Sequence, residues 1–141
     1  MIQEFQQSDI DPVIKIWLKA SIDAHDFIDS DFWRSKARDM REVYIPSGET
    51  YVYEKAGIIK GFVSLYQDTI AAMFVSPDSQ RRGIGTKLMQ KAKDVRHALT
   101  LAVYKENSKS TEFYKKCGFT IEREQIDKHT GHLELVMKYD S

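Results

Sequence analysis

Apolar residues recur along this chain at two spacings, and the change from one to the other separates helices from strands. Ile10, Val13, Ile14, Trp17, Leu18 and Ile22 fall three and four positions apart, the period of one helix face. Ser8 stands before them as the expected N-cap and Pro12 is tolerated in the first turn, so an amphipathic helix is predicted that fades near Ala24-His25. Ile2 to Phe5 reads as a short strand ahead of it. Ser30 is expected to cap a second helix through Phe32, Trp33, Ala37 and Met40, one that stops before Pro46-Ser47-Gly48. Trp17, Trp33 and Met40 are expected in the core.

From Thr50 the period shortens to that of strands. Tyr51-Val52-Tyr53 is rich in β-formers, Ala56-Gly57 is a turn, and Ile58 to Tyr66 continues as a second strand. Thr69 to Val75 reads as a buried third strand ending at Ser76-Pro77. Ile84, Leu88, Ala92 and Val95 return to helical spacing, a strand follows from Leu99 to Tyr104, and a short helix from about Ser108 to Cys117 is closed by Gly118. Thr120 to Ile126 and His132 to Tyr139 form a final hairpin around Lys128-His129-Thr130-Gly131. This order predicts a mixed α/β (α+β) sheet with helices on its faces. With no repeat, linker or low-complexity stretch, residues 1–141 are read as one domain.

Composition narrows the function. Twenty-one basic residues balance twenty-one acidic ones, so no global field favours a nucleic acid. No apolar run is long enough to cross a bilayer, and Met1-Ile2-Gln3-Glu4-Phe5 lacks a signal-peptide layout. Cys117 is the one cysteine, so an internal disulfide is impossible and no metal site is expected. A cytoplasmic location is the simplest expectation. Oligomeric state, a homodimer included, is open.

The densest chemistry lies in Val75-Ser76-Pro77-Asp78-Ser79-Gln80-Arg81-Arg82-Gly83-Ile84-Gly85-Thr86. A buried strand ends there, and a glycine-containing loop opens into a helix whose first N–H groups and positive end suit a phosphate. Gly83 and Gly85 would let the backbone approach without a Cβ in the way, and Arg81, Arg82 and Lys87 add positive charge. A plain turn is the competing reading. The dinucleotide fingerprint fails because Leu88 takes the place of its third glycine, and no Gly-Lys-Ser/Thr triplet makes a Walker loop.

Gln80-Arg81-Arg82-Gly83-Ile84-Gly85 resembles the pyrophosphate-binding signature of the GCN5-related N-acetyltransferase (GNAT) family. Downstream, Leu101-Ala102-Val103-Tyr104, then Asn107, then Phe113-Tyr114-Lys115-Lys116-Cys117-Gly118-Phe119 resembles the family's second signature. Asp23-Ala24-His25-Asp26-Phe27-Ile28 is similar, less specifically, to a small bacterial subgroup. The resemblance implies a mixed central sheet of about seven strands flanked by about four helices. It further implies acetyl-CoA as acetyl donor, a primary amine as acceptor, and direct transfer between them.

Carried over position by position, the resemblance assigns Phe74 and Val75 to the strand that holds the pantetheine arm and thioester. It assigns Gln80, Arg81, Arg82, Gly83, Ile84, Gly85 and Thr86 to the phosphate cradle, which Lys87 is expected to join by its charge, Asn107 to the pantetheine arm, and Tyr114 to both the cofactor sulfur and the acid role. A helix tyrosine used only for packing is the plainer alternative. The acceptor raises a separate need, since an alkyl amine of pKa near 10.4 is neutral only about once in a few thousand molecules at pH 7. Many relatives carry a strand glutamate for that task. Thr69-Ile70-Ala71-Ala72-Met73-Phe74 contains none, and Asp68 before it reads as a turn residue.

His25 and Asp26, where the resemblance puts the acceptor pocket, are the remaining candidates. A solvent-exposed helix end is their other reading. His129 and His132 are expected at the surface, and Cys117 as a small buried residue. A CoA-binding module with little turnover is the alternative to an enzyme. Small-molecule and protein amines are both open as the acceptor, whose identity does not follow from the sequence.

Overall fold

Neighbouring residues in Tyr51-Val52-Tyr53 and in Phe62-Val63-Ser64-Leu65 are buried against opposite layers, which is why the middle of the chain is apolar with little interruption. The computed structural model describes Met1–Ser141. Its seven strands are β1 (Ile2–Glu4), β2 (Glu49–Lys55), β3 (Ile58–Tyr66), β4 (Thr69–Val75), β5 (Ala98–Tyr104), β6 (Thr120–Ile126) and β7 (Leu133–Asp140). They form one sheet in the order β1-β2-β3-β4-β5-β7-β6. Every neighbouring pair is antiparallel except β4 and β5.

Helices α1 (Ile10–Ala24) and α2 (Ser30–Asp39), followed by a short α3 (Ile45–Ser47), pack on one face. There Val13, Trp17 and Trp33 meet Val52, Phe62, Ala72 and Tyr104. On the other face α4 (Ile84–Val95) brings Ile84, Leu88, Met89 and Ala92 against Tyr51, Tyr53, Val63 and Leu65. The helix α5 (Ser108–Lys116) joins that layer through Phe113 and Tyr114. The mixed sheet with helices on its faces is therefore the observed fold, and Trp17 and Trp33 are core residues, with Met40 at the margin.

Three helix boundaries differ from the expected ones. Ser8 lies inside a 3₁₀ turn (Gln7–Asp9), and the Asp9 carboxylate closes that turn by accepting the Gln6 N–H at 2.9 Å. Asp29 caps α2, accepting the Asp31 N–H at 2.8 Å, because its extended backbone sits one residue before the helix while Ser30 is already inside it. The chain also stays helical past Pro46. A π-helical turn over Met40–Tyr44 resets the hydrogen-bond register, with the Ile45 N–H on the Met40 carbonyl, and Pro46 then falls in a first turn where its missing N–H is not needed.

The parallel pair decides where a site can form. β4 and β5 share a single ladder position, Thr69 with Thr100, whose hydroxyls lie 3.0 Å apart. In the β3–β4 pairing the register steps from Ser64–Ala72 to Leu65–Ile70, leaving Ala71 as a bulge. A bulge bends its strand, and here it accompanies the parting of β4 from β5. From Ala72 to Val75 the β4 edge has no ladder partner on the β5 side.

Candidate active site

At the open end of that cleft the chain turns from β4 into α4. The Ser76 N–H is held by the Lys60 carbonyl at 2.8 Å, and Pro77–Ser79 makes one 3₁₀ turn. The Gln80 amide then reaches back to the Val75 carbonyl at 3.2 Å, tying the loop to the strand end. Arg81 and Gly83 both take left-handed backbone angles, φ 65° and 78°. The Lys87 N–H bonds the Gly83 carbonyl at 3.2 Å, so the N–H groups of Ile84, Gly85 and Thr86 precede the first helical bond. They face out of the positive end of a twelve-residue helix. Nothing lies within 4 Å of the Cβ position at Gly83, so the loop is open above it. The residues present thus fit a phosphate group, with Arg81, Arg82 and Thr86 exposed around the opening.

Two members of the loop set have other work. A Cβ on Gly85 would meet the Phe113 ring at 3.3 Å, so this glycine admits α5 against α4. The Lys87 ammonium stands 5.4 Å from the Tyr53 ring centroid, in a shallow recess with Met1, Ile2, Gln90 and Lys91. Its charge is therefore directed to the β2 side of the helix, where Tyr53 lies.

Across the cleft, β5 ends at Tyr104 and Asn107 caps α5, its side-chain oxygen accepting the Ser110 N–H at 3.2 Å. The Asn107 Nδ2 lies 3.2 Å from His25 Nε2, and His25 Nδ1 lies 2.8 Å from the Ser21 carbonyl. A carbonyl only accepts, so Nδ1 carries the proton and Nε2 accepts from Asn107. His25 is 6% exposed, stacked on Trp33 at 5.0 Å and met edge-on by Phe27 and Tyr104. Burial lowers its pKa, only partly offset by the Ser21 carbonyl. The alternative of an exposed helix end does not hold for His25, and as a candidate base it has both ring nitrogens already engaged. Asp26 beside it is exposed.

Tyr114 is half-buried on α5, between Phe113 at 5.6 Å and Phe119 at 5.9 Å. Burial, with the neighbouring Cys117 adding to it, pushes its pKa up to about 12. The phenol therefore keeps its proton through the neutral range. Phe74 and Val75 are half-buried at the end of β4, with Phe74 packed 6.0 Å from Phe62.

A further group comes together that spacing along the chain gave no signal for. His132, expected at the surface, has its ring 5.1 Å from Phe27 and its Nδ1 3.0 Å from a Glu106 carboxylate oxygen. The Tyr104 hydroxyl donates to Asp127, which also accepts from Thr130 at 3.2 Å. His129 is exposed and lies outside this group. Asp68 joins Arg96 at the start of β4, a full strand of about 20 Å from Val75, which removes it as a base. No three His, Cys, Asp or Glu side chains are grouped to hold a metal ion.

A mixed sheet with two parted strands and an open helix N-terminus at the parting is the arrangement that the resemblance to acyl-CoA transferases implies. The chain belongs to the GNAT acetyltransferases: the model of the acetyltransferase (GNAT) domain matches residues 46–121. It is 37% identical over 122 residues to the peptidyl-lysine N-acetyltransferase YiaC of Escherichia coli (strain K12), covering 86% of this chain and 84% of that protein. The solution structure of apo YjaB from Escherichia coli superposes with a TM-score of 0.84 at 24% identity, covering 99% and 96% of the two chains. The PaiA N-acetyltransferase of Thermoplasma acidophilum, in complex with coenzyme A, gives 0.83 at 16% identity, covering 100% and 98%. The protein is an N-acetyltransferase, and acetyl-CoA is its acetyl donor. No helix is long and apolar enough to cross a membrane.

Proposed function

We propose that this chain, working as one unit over residues 1–141, transfers the acetyl group directly from acetyl-CoA to the side-chain amine of a protein lysine. The observation that carries the reading is the parting of β4 from β5 beyond Thr69–Thr100, beside the open N-terminus of α4. Bound there, acetyl-CoA supplies an activated acetyl thioester. Arg81 to Thr86, with Gln80 bracing the loop, hold the pyrophosphate through helix N–H groups and guanidinium charge. The unpaired edge of β4 at Phe74 and Val75 aligns the pantetheine arm and offers an N–H to the carbonyl oxygen as charge develops on it. Asn107 donates to the arm from the other wall. Tyr114 holds a proton on its hydroxyl for the departing sulfur.

The acceptor enters on the Phe27 side, where Asp26, Glu106 and Asp127 favour a cation. The duty of removing its proton passes from His25 to His132. With Nδ1–H directed to Glu106, the His132 Nε2 is left as an acceptor. A lysine acceptor is supported by the curated relatives, which are peptidyl-lysine N-acetyltransferases. A cytoplasmic location suits that chemistry. The test is purified protein with acetyl-CoA against lysine peptides, N-terminal peptides and polyamines, following thiol release and mapping acetylation by mass spectrometry. Acetylation confined to peptide N-termini or polyamines overturns the lysine assignment. Tight CoA binding with no thiol release for any amine overturns the enzymatic reading in favour of a CoA-binding module.

A further inference from the structure

We propose that His25 is a positioning residue for the cofactor: it fixes the Asn107 side-chain amide so that one N–H is presented to the pantetheine arm. The inference rests on the cofactor role proposed for Asn107. Its hydrogen bonds leave little freedom. The Asn107 backbone N–H goes to the Tyr104 carbonyl at 2.9 Å, and its own carbonyl accepts from the Thr111 N–H and hydroxyl, each at 3.1 Å. The side-chain oxygen is engaged by the Ser110 N–H at 3.2 Å. One Nδ2 hydrogen goes to His25 Nε2. A primary amide has two such hydrogens, so one N–H remains, and it can only donate. The acceptor it fits is a carbonyl oxygen of the pantetheine chain.

His25 makes that orientation unique. Turning the amide over would set its oxygen against the lone pair of Nε2 and its nitrogen against the Ser110 N–H, two repulsive contacts at once. Nε2 keeps its lone pair because Nδ1 is held protonated by the Ser21 carbonyl at 2.8 Å. The ring is in turn fixed by Trp33, Phe27 and Tyr104, so rotating it away would disturb three aromatic contacts. Tyr104 is the one titratable group of these three, and it faces Asp127 through its hydroxyl. The chain of contacts runs Ser21, His25, Asn107, and it joins the end of α1 to the cap of α5 across the end of the sheet.

Two conservative variants separate the halves of this device. His25→Gln puts an amide oxygen near the Nε2 position and retains an acceptor for Asn107. His25→Asn reaches only the Nδ1 position, so it retains the Ser21 contact and loses Asn107. Calorimetry with CoA as the ligand is expected to give the glutamine variant near wild-type affinity and the asparagine variant roughly tenfold weaker, the worth of about one neutral hydrogen bond. Asn107→Ser keeps a helix cap but removes Nδ2, and in that background the two His25 variants should bind CoA equally. Glutamine and asparagine variants of equal affinity in an otherwise wild-type chain overturn the inference. An Asn107→Ser protein with wild-type CoA affinity overturns instead the cofactor role of Asn107 itself. Nitrogen NMR of the unsubstituted protein supplies a check independent of any variant's folding: His25 is expected as the neutral Nδ1–H tautomer, and the opposite tautomer sinks the proposal.

Discussion

His25 Nε2 accepts from the Asn107 amide at 3.2 Å, joining residues 82 positions apart. The first ends α1, and the second caps α5, the helix that carries Tyr114. A buried histidine with both nitrogens engaged is a structural anchor whose neutral form the fold requires. That requirement has a consequence for pH.

Because burial depresses the His25 pKa, the folded protein binds fewer protons than the unfolded chain once pH drops below the unfolded value of about 6.5. Stability is therefore fully present above that value and declines as pH falls toward the folded pKa. Urea titrations between about pH 7.5 and 5.5 should show this slope in wild type and a shallower one in His25→Gln. An equal slope in both proteins would place the acid sensitivity in other groups.

Gly83 takes φ 78° with open space above it, so a side chain there meets strain and not a clash. A β-branched residue in that conformation costs about 1–2 kcal/mol locally and drives the loop to other angles. Gly83→Val should weaken CoA binding at least about tenfold while unfolding remains cooperative. Unchanged affinity by calorimetry in a folded variant would remove this loop from the phosphate site.

Gly85 differs. Its Cβ position points at the Phe113 ring at 3.3 Å, a gap closed by a shift of a few tenths of an ångström. Alanine gains about 1 kcal/mol of helix propensity over glycine, so Gly85→Ala is expected to change overall stability by less than about 1 kcal/mol. Thermal unfolding measures it, and a loss of several kcal/mol would mean that the α4–α5 contact is rigid.

The Tyr114 phenol, pushed up to about 12 by burial, is protonated wherever the protein is folded near neutrality. Tyr114→Phe keeps the ring among Phe113 and Phe119 and removes the proton. Turnover should fall about 10²–10⁴-fold, with CoA affinity changed far less. On the alkaline side its raised pKa stabilises the fold below about pH 10 and is lost as pH climbs toward 12. Spectrophotometric titration should find one fewer high-pKa tyrosine in the variant.

His132→Ala should lower turnover and leave CoA affinity unchanged, as loss of a base that does not touch the cofactor requires. Asp26→Asn should mainly raise KM for a cationic acceptor, by attraction lost at an exposed site. Normal kinetics with a lysine peptide in the His132 variant would move the base elsewhere.

Local spacing was enough for the strand and helix order, because each element depends on residues within a turn or two of one another. The two signatures, Gln80–Gly85 and Asn107 to Phe119, are such local devices. Helix boundaries were less legible, since Asp29 and Ser30 are both good caps and only backbone geometry selects between them. Tertiary structure alone decided the rest. The Ala71 bulge is a mismatch between two strands and has no meaning in one of them. Whether His25 and His132 are exposed depends on Trp33, Phe27 and Glu106, which are distant in sequence from at least one of them. Hydrophobic period and glycine placement are fixed by the backbone's own geometry, whereas a buried polar contact exists only once separate elements close over it.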